Sequence, residues 1–229
     1  IKDKTVLGES YWHGSALAKS FLDSDVEYVP QSTVWSLTPE GEIGVSSGGV
    51  ARLISARRVI LCTGAMERPF PISGWTLPGV MTVGAAQILL KSSGMIATGR
   101  TVLAGSGPLL WLFASQYLKA GGRLEAILDT TDPANRMRAW PHLIPFVRSQ
   151  YFREGWRLLR DVKSRVRVIS GVAKFGAMGD GHLKEVVYSK KDTTENKIVA
   201  DHLFLHQGVV PNTNLPMSVG IAHRWDEAQ

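Results

Sequence analysis

The 229-residue chain has very little cysteine, with Cys62 as the single one. A disulfide within the chain is therefore excluded, and so are a Cys-x-x-Cys redox pair and a four-cysteine iron–sulfur or zinc centre. Cys62 lies in the apolar run 59–63, so we expect it to be a small, buried core residue. A lone thiol fits a reducing compartment, and we expect a cytoplasmic location.

Long apolar runs are also lacking, since no stretch reaches the roughly 20 residues that a membrane helix needs. The first residues show no charged segment followed by an apolar one, so neither a membrane span nor a signal peptide is predicted. The chain begins with Ile1 rather than Met, which we interpret as a piece of a longer protein. Hydrophobic residues make up 44%, enough for a globular domain with a full core.

Positive charge is concentrated in residues 136–167, which contain nine Lys or Arg against Glu154 and Asp161. Because the whole chain has a net charge of +6, the remainder is close to neutral. Basic blocks of this kind bind nucleic acid or anionic membranes in some proteins. No nucleic-acid motif accompanies this one, so we favour a solvated helix face or a contact with a second protein chain, and we expect no nucleic-acid partner.

The most informative stretch is 100–113. It predicts a short buried strand, a tight turn at Gly105-Ser106-Gly107, and an apolar helix that starts at Pro108. A dinucleotide-binding βαβ unit begins in this way. Gly105 makes the turn, Gly107 lets the backbone approach a pyrophosphate, and the helix N-terminus faces the anion. Gly105, Ser106, Gly107 and Pro108 are therefore candidate cofactor-binding residues.

Leu110 stands where the G-x-G-x-x-G pattern has its third glycine, so two interpretations are open: a nucleotide site, or a glycine turn used for packing alone. Asp129 ends a second predicted strand, 24 residues after Gly105. This spacing is close to that of the acidic residue that binds a ribose 2′-hydroxyl, which favours NAD(H) or another adenine nucleotide over NADP. Asp129 as the start of a turn through Asp132 is the alternative.

Two further motifs bracket this region. A predicted buried strand at 57–61 leads into Thr63-Gly64 and two prolines, and a predicted strand at 198–205 leads into Gly208-x-x-Pro-Asn212. A β-meander is predicted before the first motif, with strands at 33–37, 42–45 and 50–54. A helical region broken by prolines is predicted over 133–163, and a hairpin over 172–189.

In this order, the motifs resemble the FAD/NAD(P)-dependent oxidoreductases with two dinucleotide domains, the pyridine nucleotide-disulphide oxidoreductase family. The resemblance implies an α/β fold in which a Rossmann-like three-layer domain is inserted into a partial flavin domain with a β-meander. The expected boundaries are 1–95 for the flavin domain, 96–205 for the inserted domain and 206–229 for the return. The resemblance also implies that Thr63, Gly64 and Gly208 lie near a cofactor.

The stretches 8–14, 62–71, 74–81, 103–110 and 207–215 resemble more closely the FAD-binding subunits of opine oxidase and hydrogen cyanide synthase and related amino-acid dehydrogenases. This resemblance implies FAD in the parent protein, a small amino-acid or opine-like substrate and, as partner, a second flavoprotein subunit. The family's first flavin-binding glycine motif is expected before Ile1 and its Gly-Asp motif after Gln229. We therefore expect a middle piece that does not hold FAD tightly alone.

No catalytic set is readable from the sequence. His202 and His206 lie on a predicted strand, where four residues span about 13 Å, too far for one metal ion, so no metal site is predicted. Glu67 and Arg68 either approach a cofactor or form a local ion pair. A non-catalytic nucleotide-binding or subunit-docking module is the alternative function, with the basic block as the contact.

Overall fold

The computed structural model describes residues 4–191 and 194–225, except for the side chains of Ser10, Arg136 and Gln150. The chain divides into two compact units. The first comprises Ile1–Trp12 and Glu67–Gly208, and the second comprises His13–Met66 and Val209–Gln229. The sequence-based boundaries near 95 and 205 stay predictions.

The helices and strands are numbered in chain order. The α-helices are α1 (Lys4–Leu7), α2 (Ser15–Leu22), α3 (Val83–Ser93), α4 (Pro108–Lys119), α5 (Pro133–Arg138), α6 (Leu143–Val147), α7 (Gln150–Arg165) and α8 (Asn214–Ser218), with short 3-10 helices at Glu9–Trp12 and Trp140–His142. The strands are β1 (Ser32–Leu37), β2 (Glu42–Ser47), β3 (Val50–Ser55), β4 (Ala65–Glu67), β5 (Val80–Thr82), β6 (Thr101–Gly105), β7 (Leu124–Asp129), β8 (Arg167–Ser170), β9 (Val172–Gly179), β10 (Leu183–Lys190), β11 (Asn196–Val199), β12 (His202–His206) and β13 (Val209–Pro211).

A five-stranded parallel sheet in the order β5-β12-β6-β7-β8 forms the centre of the first unit. From β6 the chain winds outward through β7 and β8, and β12 then returns on the other side of β6. The chain thus reverses its direction of winding between β6 and β12. In open α/β sheets, ligands bind at the carboxyl ends of the strands at such a switch point.

Alternate residues of the central strands face two different layers, because side chains of a strand point to opposite faces of the sheet. One face packs against the antiparallel sheet β11-β10-β9, and the other packs against the helices. The first cluster includes Val102, Ala104, Leu128, Leu183, Val186, Leu203 and Leu205, and the second includes Leu90, Leu103, Phe113, Ile127, Val162 and Phe204. The predicted three-layer Rossmann-like fold is confirmed.

The predicted strand at 198–205 is wrong in one respect, because two strands occupy it. β11 ends at Val199 in the antiparallel sheet, and β12 begins at His202 in the parallel sheet. Between them, the Asp201 carboxylate accepts hydrogen bonds from the Arg100 backbone and side chain. The apolar pattern runs through both strands, because Ile198 of β11 packs partly buried against the core and β12 is buried over most of its length. The pattern therefore does not reveal the change of sheet.

In the second unit, β1, β2 and β3 form the predicted antiparallel meander. β13 pairs with β4, whose first two residues belong to this unit and whose last residue, Glu67, begins the main part of the first unit. The predicted strand at 57–61 is absent, and Cys62 is exposed rather than buried. Ile60 is 88% exposed. An apolar run becomes a buried strand only beside a neighbouring strand, and among residues 4–191 and 194–225 none pairs with this segment.

The basic region folds as predicted into several short helices and one long one. Pro141 and Pro145 lie in the 3-10 helix and in α6, and α7 is the long helix that follows. Ser149 caps α7 by accepting a hydrogen bond from the Phe152 backbone. Within the described parts of the chain, no helix combines the length and the apolar character needed to cross a bilayer.

Candidate functional site at the carboxyl edge of the parallel sheet

Three neighbouring strands of the parallel sheet end in residues that bear on function. In the sheet register, Gly105 at the end of β6 is paired with His206 of β12 on one side and with Asp129 of β7 on the other. Each is the last residue of its strand. The glycine turn, an imidazole and a carboxylate therefore lie together at the edge where Rossmann-like domains bind nucleotides.

The glycine turn is built by contact with β12 as well as by its own geometry. Gly105 has φ +149°, and a Cβ there would overlap the carbonyl oxygen of His206. The next residue, Ser106, donates its backbone N–H to that same oxygen at 2.9 Å. Gly107 has φ +91° and is the N-cap of α4, with Pro108 in the first turn. Packing and turn thus both require glycine at position 105.

Leu110 occupies the position of the missing third glycine without disturbing the packing. Its side chain is fully buried in the cluster between the sheet and the helices, together with Leu103 and Phe113. A glycine at this position lets the helix approach the adjoining strand closely, whereas Leu110 fills the space between them. Leu110 therefore does not argue against a nucleotide site.

The space beside Gly107 fits a phosphate group. Among the described residues, a Cβ on Gly107 would meet one atom within 4 Å, the Nε2 of His206, at 4.0 Å. The first N–H groups of α4 have no partner within the helix, and the helix dipole favours an anion at this end. Gly105, Ser106, Gly107 and Pro108 could hold the phosphates of a nucleotide, and their role as ligands stays a prediction.

Asp129 is 5% exposed at the carboxyl end of β7. Its Oδ1 accepts the Thr131 backbone N–H at 3.0 Å, and its Oδ2 accepts from the Ser170 hydroxyl at 3.5 Å. The carboxylate therefore shapes the turn that follows β7, as the alternative interpretation expected, and also lies at the ligand edge of the sheet. Its role as a ribose ligand stays a prediction.

The motif at Thr63-Gly64 and the motif that ends at Asn212 are hydrogen-bonded to each other. Thr63 donates its hydroxyl to the Asn212 carbonyl at 3.0 Å, and the Asn212 side-chain amide donates to the Thr63 carbonyl at 2.8 Å. The Asn212 backbone N–H reaches the Gly64 carbonyl at 3.0 Å. Gly64 has φ +67°, which explains the glycine. The roles of Thr63 and Gly64 toward a cofactor stay predictions.

Gly208 ends the first unit with φ +96°, and its carbonyl accepts the Arg68 backbone N–H at 2.9 Å. Gln207, which the sequence analysis missed, donates through Nε2 to the Thr130 hydroxyl at 3.0 Å and accepts through Oε1 from the Ser106 hydroxyl at 3.4 Å. Gln207 thus joins the glycine turn to the loop after β7. The role of Gly208 toward a cofactor stays a prediction.

Glu67 and His206 form a buried pair that the sequence analysis did not join. Glu67 Oε1 lies 2.5 Å from His206 Nδ1, with the side chains 11% and 4% exposed. Glu67 Oε2 also accepts the backbone N–H of Gly84, in the first turn of α3. The expectation of a local ion pair at Glu67 thus has its partner on β12 rather than in Arg68. The sequence signal for this pair was His206, a polar residue at the end of an otherwise apolar strand.

A cavity of about 340 Å³ lies beside Glu67. Most of its wall is apolar, and Glu67, Arg68, Thr82 and Gln207 are its polar members. The remaining lining residues are Pro69, Phe70, Trp75, Val80, Met81 and Leu205. A space of this size and composition is of the kind that binds small organic molecules.

His202 and His206 lie on the same strand but in different surroundings. His202 Nε2 bonds to the Thr98 carbonyl at 2.9 Å, whereas His206 pairs with Glu67. No group of three or more His, Cys, Asp or Glu side chains that could hold a metal ion occurs within the part of the chain that the structure describes.

Comparison with known proteins gives relatives over nearly the whole chain. An opine oxidase subunit from Rhizobium meliloti is 44% identical over 234 residues, covering 99% of this chain and 44% of the relative. Hydrogen cyanide synthase subunit HcnB from Pseudomonas aeruginosa is 34% identical over 177 residues, covering 74% of this chain and 38% of the relative. The chain thus spans less than half the length of these two relatives. No protein-family profile matches it.

Among solved structures, a FAD-dependent pyridine nucleotide-disulphide oxidoreductase from Desulfovibrio vulgaris matches with a TM-score of 0.54. The match covers 83% of this chain and 46% of that protein at 18% identity, so it bears on the fold alone. The family resemblance inferred from the motifs is confirmed. The chain is a homologue of HcnB and of the opine oxidase subunit, and it has the fold of the FAD-dependent pyridine nucleotide-disulphide oxidoreductases.

Proposed function

We propose that this chain is part of a flavin-dependent oxidoreductase that oxidises an amino acid or an opine-like substrate through FAD. The observation that carries the proposal is the 44% identity with the opine oxidase subunit of Rhizobium meliloti over 99% of the chain. In such an enzyme the flavin accepts a hydride equivalent from the substrate, and the protein supplies position and electrostatics. We assign Thr63, Gly64 and Gly208, which lie in the two motifs that bracket the inserted domain, to the neighbourhood of the flavin.

The test uses the whole protein that carries this chain, produced together with a second flavoprotein subunit. We expect amino acids or opines to reduce an artificial dye only when both subunits are present, because the relatives are named as subunits. Purified protein that contains flavin but oxidises none of these substrates would contradict the proposed substrate class. A cytoplasmic location is part of the same expectation.

The inserted domain is proposed to bind NAD(H) or another adenine nucleotide. The support is the glycine turn with open space at Gly107 and the buried carboxylate of Asp129 on the neighbouring strand. The experiment is a titration of the chain with NADH, NADPH, ATP and FAD, in which tryptophan fluorescence reports binding. We expect NADH or ATP to bind more tightly than NADPH, because a carboxylate repels a 2′-phosphate.

The variant Asp129→Ala tests the ribose contact. Loss of hydrogen bonds to a ribose should weaken NADH or ATP binding by about 3- to 10-fold, as one such bond contributes about 0.5–1.5 kcal/mol. The matched control is Asp180→Ala, which removes an exposed carboxylate from the β9–β10 turn. Equal affinities of the two variants for NADH or ATP, with unchanged melting temperatures, would contradict the assignment of Asp129 as the ribose ligand.

A subunit-docking module is the second candidate function. The observation in its favour is a group of exposed apolar side chains within the basic block, including Trp140 (74% exposed) and Ile144 (70% exposed). Large apolar side chains that are exposed together mark interaction surfaces. The occupant that we assign to this surface is the second flavoprotein subunit, since basic residues surround the apolar group and the relatives are subunits.

A further inference from the structure

His206 is buried at the end of β12, yet one of its ring nitrogens faces the glycine turn. The side chain is 4% exposed, and Nδ1 is held 2.5 Å from the Glu67 carboxylate. Nε2, on the other side of the ring, lies 4.0 Å from the position that a Cβ on Gly107 would take. No described residue forms a hydrogen bond with Nε2, so this atom is available to a ligand that lies beside Gly107.

Glu67 is fixed in place at the start of α3, where it accepts the Gly84 backbone N–H. The dipole of α3 attracts a carboxylate at this end of the helix, which helps to hold Glu67 in place. An ionised carboxylate only accepts hydrogen bonds, and Nδ1 of His206 is therefore the donor. The contact determines the rotation of the imidazole and directs Nε2 toward the glycine turn.

We propose that His206, positioned by Glu67, is a binding residue of the nucleotide site, and that its Nε2 donates a hydrogen bond to a phosphate group held at the turn formed by Gly105, Ser106 and Gly107. The inference rests on the proposed binding of a nucleotide by the inserted domain. The proposed contact needs a hydrogen on each ring nitrogen, so that Nδ1 donates to the carboxylate and Nε2 to the phosphate. Hydrogen bonds between ionised groups are about twice as strong as neutral ones, and burial strengthens them further.

The location selects a phosphate rather than another part of the nucleotide. The space beside Gly107 lies at the N-terminus of α4, a 12-residue helix whose dipole and free N–H groups attract an anion. Asp129, the residue assigned to the ribose, lies on the other neighbour of β6. His206 thus approaches the turn from the β12 side.

The experiment compares two substitutions at position 206 that differ in which ring nitrogen they imitate. In His206→Asn the side-chain amide can take the place of Nδ1 and keep the contact with Glu67, but nothing replaces Nε2. In His206→Gln the amide can reach the place of Nε2. Binding of ADP and of adenosine to the chain is measured by isothermal titration, adenosine at millimolar concentration, and melting temperatures show that each variant folds.

We expect His206→Asn to weaken ADP binding at least tenfold and to leave adenosine binding within about twofold, because adenosine has no phosphate. His206→Gln should retain ADP affinity to within about threefold. Glu67→Gln preserves the shape but removes the charge that orients the ring, and it should weaken ADP binding severalfold with adenosine again unchanged. This difference between the two ligands separates positioning of a phosphate donor from a general loss of structure.

Unchanged ADP affinity in His206→Asn would overturn the inference and leave nucleotide binding by the inserted domain intact. Equal losses for ADP and adenosine would also overturn it, because they would assign His206 a structural role. If the wild-type chain binds neither ADP, ATP nor NADH, the proposed nucleotide function itself fails, and this inference fails with it.

Discussion

At Gly105 a single methyl group has no room, since a Cβ would overlap the His206 carbonyl oxygen and φ is +149°. We predict that Gly105→Ala destabilises the protein by about 2–4 kcal/mol, from backbone strain together with overpacking. The measurement is the free energy of unfolding in urea. A loss below about 0.5 kcal/mol would show that β12 moves to accommodate the methyl group.

The control for that variant is Gly155→Ala, at a helical glycine of α7 where a Cβ would meet nothing within 4 Å. Alanine forms helices better than glycine because it loses less backbone freedom on folding. We therefore predict a gain of about 0.5–1 kcal/mol, measured in the same urea titration. The opposite signs at positions 105 and 155 separate the two roles of glycine.

Tyr117 carries its phenol into the helix-side core. The hydroxyl donates to the Ala97 carbonyl at 3.1 Å and lies 3.2 Å from the Thr101 hydroxyl. Burial raises the pKa of Tyr117, which favours the neutral phenol. We predict that Tyr117→Phe costs about 1–2 kcal/mol, because it leaves the Ala97 carbonyl and the Thr101 hydroxyl without this partner. Thermal unfolding of the two proteins measures the difference, and an equal melting temperature would contradict it.

At the scale of elements, the Arg100–Asp201 contact joins the residue before β6 to the turn before β12. The Asp201 carboxylate accepts from the Arg100 side chain at 3.1 and 3.2 Å and from its backbone N–H at 2.8 Å. The hydrogen bonds from the Arg100 side chain lower the pKa of Asp201 from 3.8 to about 2, and the backbone hydrogen bond adds to the effect. The contact holds the two central strands in register at their beginnings.

A lowered pKa in the folded state means that the carboxylate stabilises the protein above about pH 4 and that this stabilisation is lost as the pH falls toward 2. We predict that the difference in melting temperature between wild type and Asp201→Asn is greatest near pH 6 and shrinks toward zero near pH 2. Both partners are half exposed, so added salt should also reduce it. A difference that does not depend on pH would contradict the assignment. Asp180→Asn controls for the loss of one carboxylate.

At the scale of the whole molecule, the exposed apolar group in the basic block predicts how the chain meets a partner. Replacing Trp140 and Ile144 by serine should leave the melting temperature unchanged, because both side chains are exposed. The same replacement should weaken at least tenfold the co-purification with the second flavoprotein subunit. The matched control is Leu17→Ser in α2, where the side chain is 76% exposed. Equal co-purification of all variants would contradict docking through this surface.

The two units differ in how well the sequence predicts them. The parallel sheet of the first unit pairs strands from within the same unit, so its apolar strands are buried as their pattern predicts. The apolar stretch at 57–61 is not buried in this way: residues 57–60 are exposed and Leu61 is half-buried. Burial needs a neighbouring strand, which a local pattern does not specify.

The sequence by itself determined the features that depend on local chemistry. Glycines at 105 and 107 with Pro108 predict the turn and the helix start because these residues favour particular backbone angles. Alternating apolar residues predict the meander, and Pro141 and Pro145 predict the broken helical region, since proline lacks the N–H that a continuous helix needs.

Only the tertiary structure decided which distant residues meet. Glu67 and His206 are 139 residues apart. They lie near the two ends of the segment Glu67–Gly208, and folding of the first unit brings their side chains together. The change of sheet at Ala200-Asp201 likewise depends on Lys184 and Arg100, whose carbonyls accept those two backbone N–H groups. Local preferences act over a few residues, whereas pairing and burial depend on which strands the whole chain brings side by side.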